Sequence, residues 1–244
     1  MRAIILAGGK GTRMKSPLPK VLHKISGRPM ISYIIGSLLS LKEMEKIVAI
    51  VGYKRALVKR VLPAGVKAAV QKKMLGTADA VKAAIPAMKG YGGDTLIVCG
   101  DTPLITRTTL SALMGAHIGG MNDVTIVTTV LQDPTGYGRI IRNKGGTVTG
   151  IVEEKSATPA QKKVKEINSG IYCYDWPKLA YALLRIKKNK LKGEFYLTDA
   201  IEIFRKKGFR IGTYTAVNPF EVMGVDDLKR LQQAQEYFKR RKNV

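Results

Sequence analysis

The 244-residue sequence predicts an α/β fold: a mixed, mainly parallel sheet flanked by helices, with an antiparallel extension in its second half. Three observations carry this. Short apolar runs alternate with helix-like segments through the first hundred residues, the pattern of strands joined by helical crossovers. The first run, Ile4-Ile5-Leu6, empties into a Gly-rich loop. Past Asp123 the alternation gives way to strands separated by hairpin-type turn signals.

Strands are expected over Arg2–Leu6, Lys46–Val51, Lys67–Gln71 and Asp94–Cys99, with helices around Met30–Leu41, Lys54–Leu62 and Thr77–Met88. Right-handed crossovers would put the loops that follow these strands on one rim, where such sheets bind ligands. No element is assigned between Asp101 and Asp123. Val124–Leu131 reads as a strand, and Arg139–Arg142 and Thr147–Val152 flank the turn residues Asn143-Lys144-Gly145-Gly146. Ile167–Tyr174 is a further strand, followed by helices around Pro177–Leu184 and Thr198–Lys207 and a strand at Arg210–Ala216. Residues 1–225 read as one compact unit with two parts, about 1–122 and about 123–225. The segment 226–244 reads as a C-terminal basic helix, with Leu228, Leu231, Ala234, Tyr237 and Phe238 at helical spacing.

The formal net charge of +24 draws polyanions, phosphorylated small molecules and nucleic acid alike. Much of the excess sits in runs such as Arg185-Ile186-Lys187-Lys188-Asn189-Lys190 and Lys239-Arg240-Arg241-Lys242. These runs carry no interleaved aromatic residues on which bases could stack, which argues against nucleic acid as the partner. No apolar run is long enough to cross a bilayer, and the N-terminus makes a poor secretory signal. Cys99 and Cys173 lack metal-ligand spacing and form no disulfide framework, so a reducing cytoplasm is expected.

The loop Leu6-Ala7-Gly8-Gly9-Lys10-Gly11-Thr12-Arg13-Met14, with Lys20 beyond it, is the richest motif. Its glycines let backbone N–H groups approach an anion, and Lys10, Arg13 and Lys20 add fixed positive charge. It fits neither a P-loop nor a G-x-G-x-x-G fingerprint. Other rim positions carry two readings each. Asp101, after Gly100 at the end of an apolar run, is a helix cap or turn residue, or a Mg²⁺ ligand facing the phosphate loop. Gln71, Gly76 and Thr77 can read a base edge, but spacing alone favours a simple helix start with Thr77 as its cap. The turn Asp133–Gly138, Glu153-Glu154 and Asn168 are each ordinary taken singly. His23 and His117 show no partner pattern, and Trp176 reads as packing.

Taken together these blocks resemble the sugar-1-phosphate nucleotidyltransferases. The series Leu6-Ala7-Gly8-Gly9-x-Gly-Thr-Arg-Met-x5-Lys20, Gln71-x4-Gly76-Thr77, Gly100-Asp101-x-Pro103-Leu104, Asp133-Pro-Thr-Gly-Tyr-Gly-Arg139, Gly150-Ile-Val-Glu153, Glu166-Ile-Asn168-x-Gly170 and Gly193-Glu-Phe-Tyr-Leu-Thr-Asp199 narrows the likeness. It is similar to the N-acetylglucosamine-1-phosphate uridylyltransferase domain of the bifunctional GlmU enzymes, through about Asp227.

The resemblance implies a Rossmann-like fold of the nucleotide-diphospho-sugar transferase type. Its nucleotide-binding part is about 1–122 and its sugar-binding part about 123–225. It implies UTP and N-acetylglucosamine 1-phosphate as substrates and Mg²⁺ as cofactor. Arg13 and Lys20 would be catalytic, managing the leaving pyrophosphate and the reacting centre. Leu6, Ala7, Gly8, Gly9, Gln71, Gly76, Thr77, Cys99 and Gly100 would bind the nucleotide. Gly138, Glu153, Asn168, Glu194, Tyr196 and Thr198 would bind the sugar, and Asp101 and Asp226 the metal.

Asp226 stands where the pattern has Asn, and Cys99 where Tyr is usual; Asp remains a competent ligand and adds negative charge. The hexapeptide repeats of the acetyltransferase β-helix, which forms the trimer, are absent from these residues, so the oligomeric state is left open. A stand-alone enzyme and a chain cut before a second domain both fit. Two alternative functions remain at this point: transfer with glucose 1-phosphate or another nucleotide, and a non-catalytic regulatory or nucleic-acid-binding protein on the same fold.

Overall fold

The computed structural model describes residues 1–189 and 193–242. Lys190 of the basic run and residues 243–244 of the expected C-terminal helix lie outside the described residues. The chain opens with β1 (Arg2–Ala7), two 3-10 turns at Thr12–Met14 and Lys20–Leu22, a two-stranded ribbon of β2 (Lys24–Ile25) and β3 (Arg28–Pro29), and α1 (Met30–Leu39). It continues through β4 (Lys46–Val51), α2 (Arg55–Arg60), β5 (Val66–Val70), α3 (Thr77–Lys82), β6 (Asp94–Cys99) and α4 (Arg107–Gly119). The second half adds β7 (Val124–Val130), a hairpin of β8 (Gly138–Arg142) and β9 (Val148–Val152), and the single turn α5 (Pro159–Lys162). Then come β10 (Glu166–Asp175), α6 (Trp176–Leu183), α7 (Asp199–Lys206), β11 (Ile211–Thr215) and α8 (Leu228–Lys242).

The main sheet has the order β11-β7-β10-β6-β1-β4-β5, with β8 joining at β10 and β9 at β8. The strands β6, β1, β4 and β5 are mutually parallel, as are β7 and β11. Between these two sets β10 runs antiparallel to both β6 and β7. The expected antiparallel extension is therefore continuous with the parallel sheet.

Both faces of the sheet are covered, which is why β1, β4 and β6 read as unbroken apolar runs rather than alternating ones. Side chains still alternate between faces. Ile5 packs with Ile34, Ile35 and Leu38 of α1, near Leu110 and Leu113 of α4. Ile4 packs with Ala78 and Val81 of α3 and the α6–α7 side chains Leu179 and Phe204. Trp176 is buried in that second layer, in the packing role expected of it. The helix α8 lies on the domain, with Ala234, Leu231, Tyr237 and Phe238 against Ile25, Met30 and Leu104.

Several boundaries differ from the sequence expectation for local reasons. The expected helix Thr77–Met88 divides into α3 and a 3-10 turn at Ile85–Met88, because Pro86 lacks an N–H and disfavours helical geometry at Ile85. The helix expected from Lys54 begins at Arg55, since Lys54 is left-handed (φ 44°). The unassigned stretch after Asp101 contains α4, capped by Thr106, whose hydroxyl accepts the Thr109 N–H at 3.1 Å. His117, read as partnerless, is buried on α4 between Thr125 Oγ1 (3.0 Å) and Asp94 Oδ1 (3.3 Å). No helix among the described residues is long and apolar enough to cross a membrane.

Candidate active site

Two adjoining cavities open at the C-terminal ends of β1 and β6. The first has a volume of ≈ 430 Å³ and is floored by Leu6, Ala7, Gly8 and Gly9, which leave β1, with Lys10 beside them. Gly8 is pressed against its surroundings: a Cβ there would stand 2.8 Å from Gln71 Oε1. Gln71 is 7% exposed, and its amide donates to Gly76 O (3.1 Å) and Asp79 Oδ2 (2.9 Å). Both amide hydrogens are thus committed within the protein, so Gln71 offers the cavity an acceptor alone.

Gly76 has φ +104°, and a Cβ there would lie 2.5 Å from Phe195 O, so only glycine fits this crossing. Thr77 is not the cap the spacing suggested; Gly76 takes the cap position. The Thr77 hydroxyl instead accepts the Leu197 N–H at 2.9 Å, while the Ala78 N–H donates to Phe195 O at 2.9 Å. The segment 195–197 is thereby fixed across the start of α3.

The ionic centre lies at the mouth. Lys20 Nζ bonds to Asp101 Oδ2 and, at 2.7 Å, to Asp226 Oδ1. Asp226 Oδ2 also receives Arg13 at 3.1 Å and Arg230 at 3.3 Å. Burial pulls the Lys20 ammonium down, but the two carboxylates outweigh it and hold Lys20 well above its ordinary value. Burial pushes Asp226 up, and the charges of Lys20, Arg13 and Arg230 bring it to a net value below the ordinary carboxylate range. Asp101 caps no helix; its carbonyl accepts the Val225 N–H at 2.7 Å, which ties the end of β6 to the approach of α8.

The second cavity, ≈ 290 Å³, shares Leu6, Thr77, Cys99 and Asp101 with the first. Gly138, Glu153, Asn168 and Thr198 line it, with Tyr137 and Tyr172. The Thr198 hydroxyl donates to Glu153 Oε1 at 2.8 Å. Burial raises the Glu153 carboxyl above its ordinary value; Thr198 opposes the rise and Glu194 adds to it. Asp199 is pushed up to about 6 by burial and by the charges of Glu153 and Glu202. Asn168 donates to the Tyr172 hydroxyl at 2.7 Å and accepts the Gly170 N–H at 3.2 Å, where β10 shifts register. The Cys99 thiol donates to Gly170 O at 3.4 Å, and burial pushes it up, so it is a packing group without nucleophilic character.

The structure thus gathers nearly all the expected positions around two connected spaces. Glu194 and Tyr196 line the first cavity rather than the second, where Thr198 lies, because the stitched segment 195–197 carries them over α3. Gly100 lines neither; its N–H donates to Leu6 O at 2.9 Å, and it packs between Leu6 and Val21. Arg13 is exposed and lines neither cavity, reaching the centre through Asp226. Sequence reading missed Tyr137 and Arg230. The Asp226–Arg230 spacing of four, across the start of α8, was the available signal for the latter. It also missed Glu154, which bonds Arg139 at 2.6 Å and the Gly136 N–H at 3.3 Å beneath the cavity wall.

Comparison with known proteins matches residues 2–213 to the family described as Nucleotidyl transferase. The chain belongs to the nucleotidyl transferase family. This nucleotidyl transferase is 44% identical over 241 residues to the bifunctional protein GlmU of Pelotomaculum thermopropionicum, covering 99% of its own length and 52% of that protein's. The GlmU proteins of Brevibacillus brevis and Streptococcus thermophilus are 43% and 46% identical, again over 99% of this chain and 52% of theirs. The chain therefore spans about half the length of these relatives. Among solved structures, a putative glucose-1-phosphate thymidylyltransferase from Bacillus anthracis, in complex with a sucrose, superposes with a TM-score of 0.72. It is 20% identical, covering 97% of this chain and 94% of that one, which is a likeness of fold.

The ionic centre holds the residues of this nucleotidyl transferase against which a cation can be tested. No group of three or more His, Cys, Asp or Glu side chains that could hold a metal occurs among the described residues. The two carboxylates of Asp101 and Asp226 nevertheless converge on one ammonium. A pair of hard oxygen ligands completed by substrate phosphates is how Mg²⁺ is commonly held, so the donor set suits it.

Proposed function

We propose that this chain transfers UMP from UTP to N-acetylglucosamine 1-phosphate, giving UDP-N-acetylglucosamine and pyrophosphate. The observation that carries the reading is the junction: two cavities share Leu6, Thr77, Cys99 and Asp101, with Lys20 bound to Asp101 there. The likeness to proteins named GlmU over 99% of the chain supports the choice of substrates.

The triphosphate occupies the Gly8–Arg13 loop and the uracil lies toward Gln71 and Gly76, whose oxygen and backbone face it. The sugar phosphate enters the second cavity, where Glu153 and Asn168 read the hydroxyl and N-acetyl groups. One phosphate oxygen of the sugar attacks the α-phosphorus in line. The new P–O bond forms as the bond to pyrophosphate breaks, and the leaving electron pair stays on pyrophosphate. The protein's part is positioning and charge stabilisation, with Lys20 and Arg13 meeting the negative charge. Asp101 and Asp226 would hold Mg²⁺, which when bound neutralises phosphate charge. Both cysteines are free thiols, which suits a reducing cytoplasm.

The test is pyrophosphate release measured over four nucleoside triphosphates and several sugar 1-phosphates. UTP with N-acetylglucosamine 1-phosphate is expected to turn over fastest. Equal or better turnover of glucose 1-phosphate overturns the sugar assignment, and salt-sensitive RNA binding without turnover overturns the enzymatic reading.

A further inference from the structure

The sugar-side cavity has a wall of which the mechanism above uses Asp226 alone. Its Gly136 and Tyr137 come from the loop between β7 and β8, its Gly138 from the start of β8, and its Gly224 and Asp226 from the approach to α8. These stretches lie nearly ninety residues apart in sequence, and one side chain joins them. From the first turn of α8, Arg230 donates to Asp226 Oδ2 (3.3 Å) and Gly224 O (3.4 Å) through one nitrogen and to Thr135 O (3.4 Å) through another. Its guanidinium stands 4.7 Å from the centroid of the Tyr137 ring. The side chain is 19% exposed, and the Asp227 carboxylate accepts the Arg230 N–H at 2.8 Å, fixing the helix start that carries it.

We propose that Arg230 is a positioning residue for the sugar-side cavity. It holds the Thr135–Gly138 wall in register with Asp226 and turns Tyr137 into the space. The fixed, planar, five-donor guanidinium suits this role, because its edge bonds carboxylate and carbonyls while its face lies over an aromatic ring. The loop's other anchor is the Arg139–Glu154 pair on the far side of Gly136. Without Arg230 the outer half of the loop keeps short-range bonds: Thr135 N–H to Asp133 Oδ1 (3.1 Å), Tyr137 N–H to Pro134 O (3.2 Å) and Arg139 to Tyr137 O. The Tyr137 hydroxyl is buried against the Gly224 backbone, on the other stretch that Arg230 joins. The seat of Tyr137 therefore depends on the register that Arg230 holds between the two stretches, and the shape of the sugar-side wall depends on Tyr137.

The kinetic half of the test rests on the reading of this cavity as the sugar side; the exchange half does not. Arg230→Met and Arg230→Lys are compared with the parent chain by amide hydrogen exchange without substrate, and by KM for each substrate. Arg230→Met is expected to speed exchange over residues 135–138 and to raise KM for N-acetylglucosamine 1-phosphate, each about tenfold. KM for UTP is expected to rise by no more than about threefold, since Arg230 reaches the phosphate side only through Asp226, which keeps Lys20 and Arg13. Arg230→Lys keeps a cation at Asp226 and Tyr137 and is expected to recover at least half of the sugar KM effect on a logarithmic scale. Unchanged exchange at 135–138, or an equal rise in both KM values, overturns the proposal. If the Met variant fails to fold, the Lys variant decides it by the same two readouts at about threefold. If the parent chain shows no turnover, the substrate reading fails, and the exchange measurement alone judges Arg230.

Discussion

Replacing Lys20 with Met removes the one cation shared by Asp101 and Asp226, and the cost follows from what each carboxylate keeps. Asp226 retains Arg13 and Arg230, while Asp101 loses the ion pair it makes with Lys20. The three side chains are 15–18% exposed. Breaking a buried pair by removing one partner costs roughly 3–5 kcal/mol, and residual solvent access with two remaining guanidiniums brings the expectation to about 2–3 kcal/mol. For a chain of this size that lowers Tm by about 5–10 °C.

The pH dependence has a definite shape. Lys20 is raised in the folded state, so its contribution is full below its ordinary 10.5 and is lost only as pH climbs through the higher folded value. Asp226 is lowered, so its contribution is full above its ordinary 3.8 and is lost as pH falls through the folded value. The difference in Tm between parent and variant is expected to be flat from about pH 5 to 9 and to shrink below pH 4. Thermal unfolding followed by circular dichroism across that range is the assay. Millimolar Mg²⁺ is expected to stabilise the variant more than the parent, because no ammonium competes for the two carboxylates. A variant within 1 °C of the parent, as a rough limit of resolution, or a penalty that grows toward pH 3, refutes the assignment of Lys20 as the counter-charge of this pair.

Asp101→Ala is expected to lower turnover by about a thousandfold or more while the far-ultraviolet spectrum stays unchanged. Substantial residual activity would remove Asp101 from the reacting centre. Gly76→Ala forces a Cβ at φ +104° into Phe195 O and is expected to cost roughly 1–3 kcal/mol of stability and to raise KM for UTP. An unchanged Tm refutes the close crossing. Thr198→Val removes the hydroxyl that holds Glu153 down, so the Glu153 carboxyl is expected to rise further. The acid limb of kcat/KM for the sugar phosphate then moves to higher pH, and a limb that does not move excludes Glu153 from sugar binding.

Much of this architecture is written locally. The strands β4 and β6 end where the apolar runs do and begin one or two polar residues before them, because a doubly covered strand is apolar on both faces through its middle. The helix α4 escaped notice although Leu110, Leu113, Met114 and His117 follow helical spacing, since Gly115, Gly119 and two threonines dilute its propensity. At the site, the Gly8–Arg13 loop and Asp101 were legible because each sits directly after a strand. The committed amide of Gln71 was not, for it depends on Asp79 in the first turn of α3. Nor was the side on which Glu194 and Tyr196 fall, which is set by the crossing of residues 195–197 over Gly76. Arg230 meets Thr135 only through the tertiary fold, and no local pattern announces the contact.

The antiparallel strand β10 is hydrogen-bonded to β7 on one edge and to β6 and β8 on the other. The walls of the two cavities therefore belong to a single hydrogen-bonded plate, with Asn168 at the kink and Cys99 bonded to Gly170 across it. Hinged clamping of one lobe on another would have to tear that plate, at the cost of its ladder. A closing motion in this scaffold would fall instead to the chain segments on its rim, Gly9–Lys20, the stretch from Lys72 to Leu75, and Asp133–Tyr137, moving over a continuous floor.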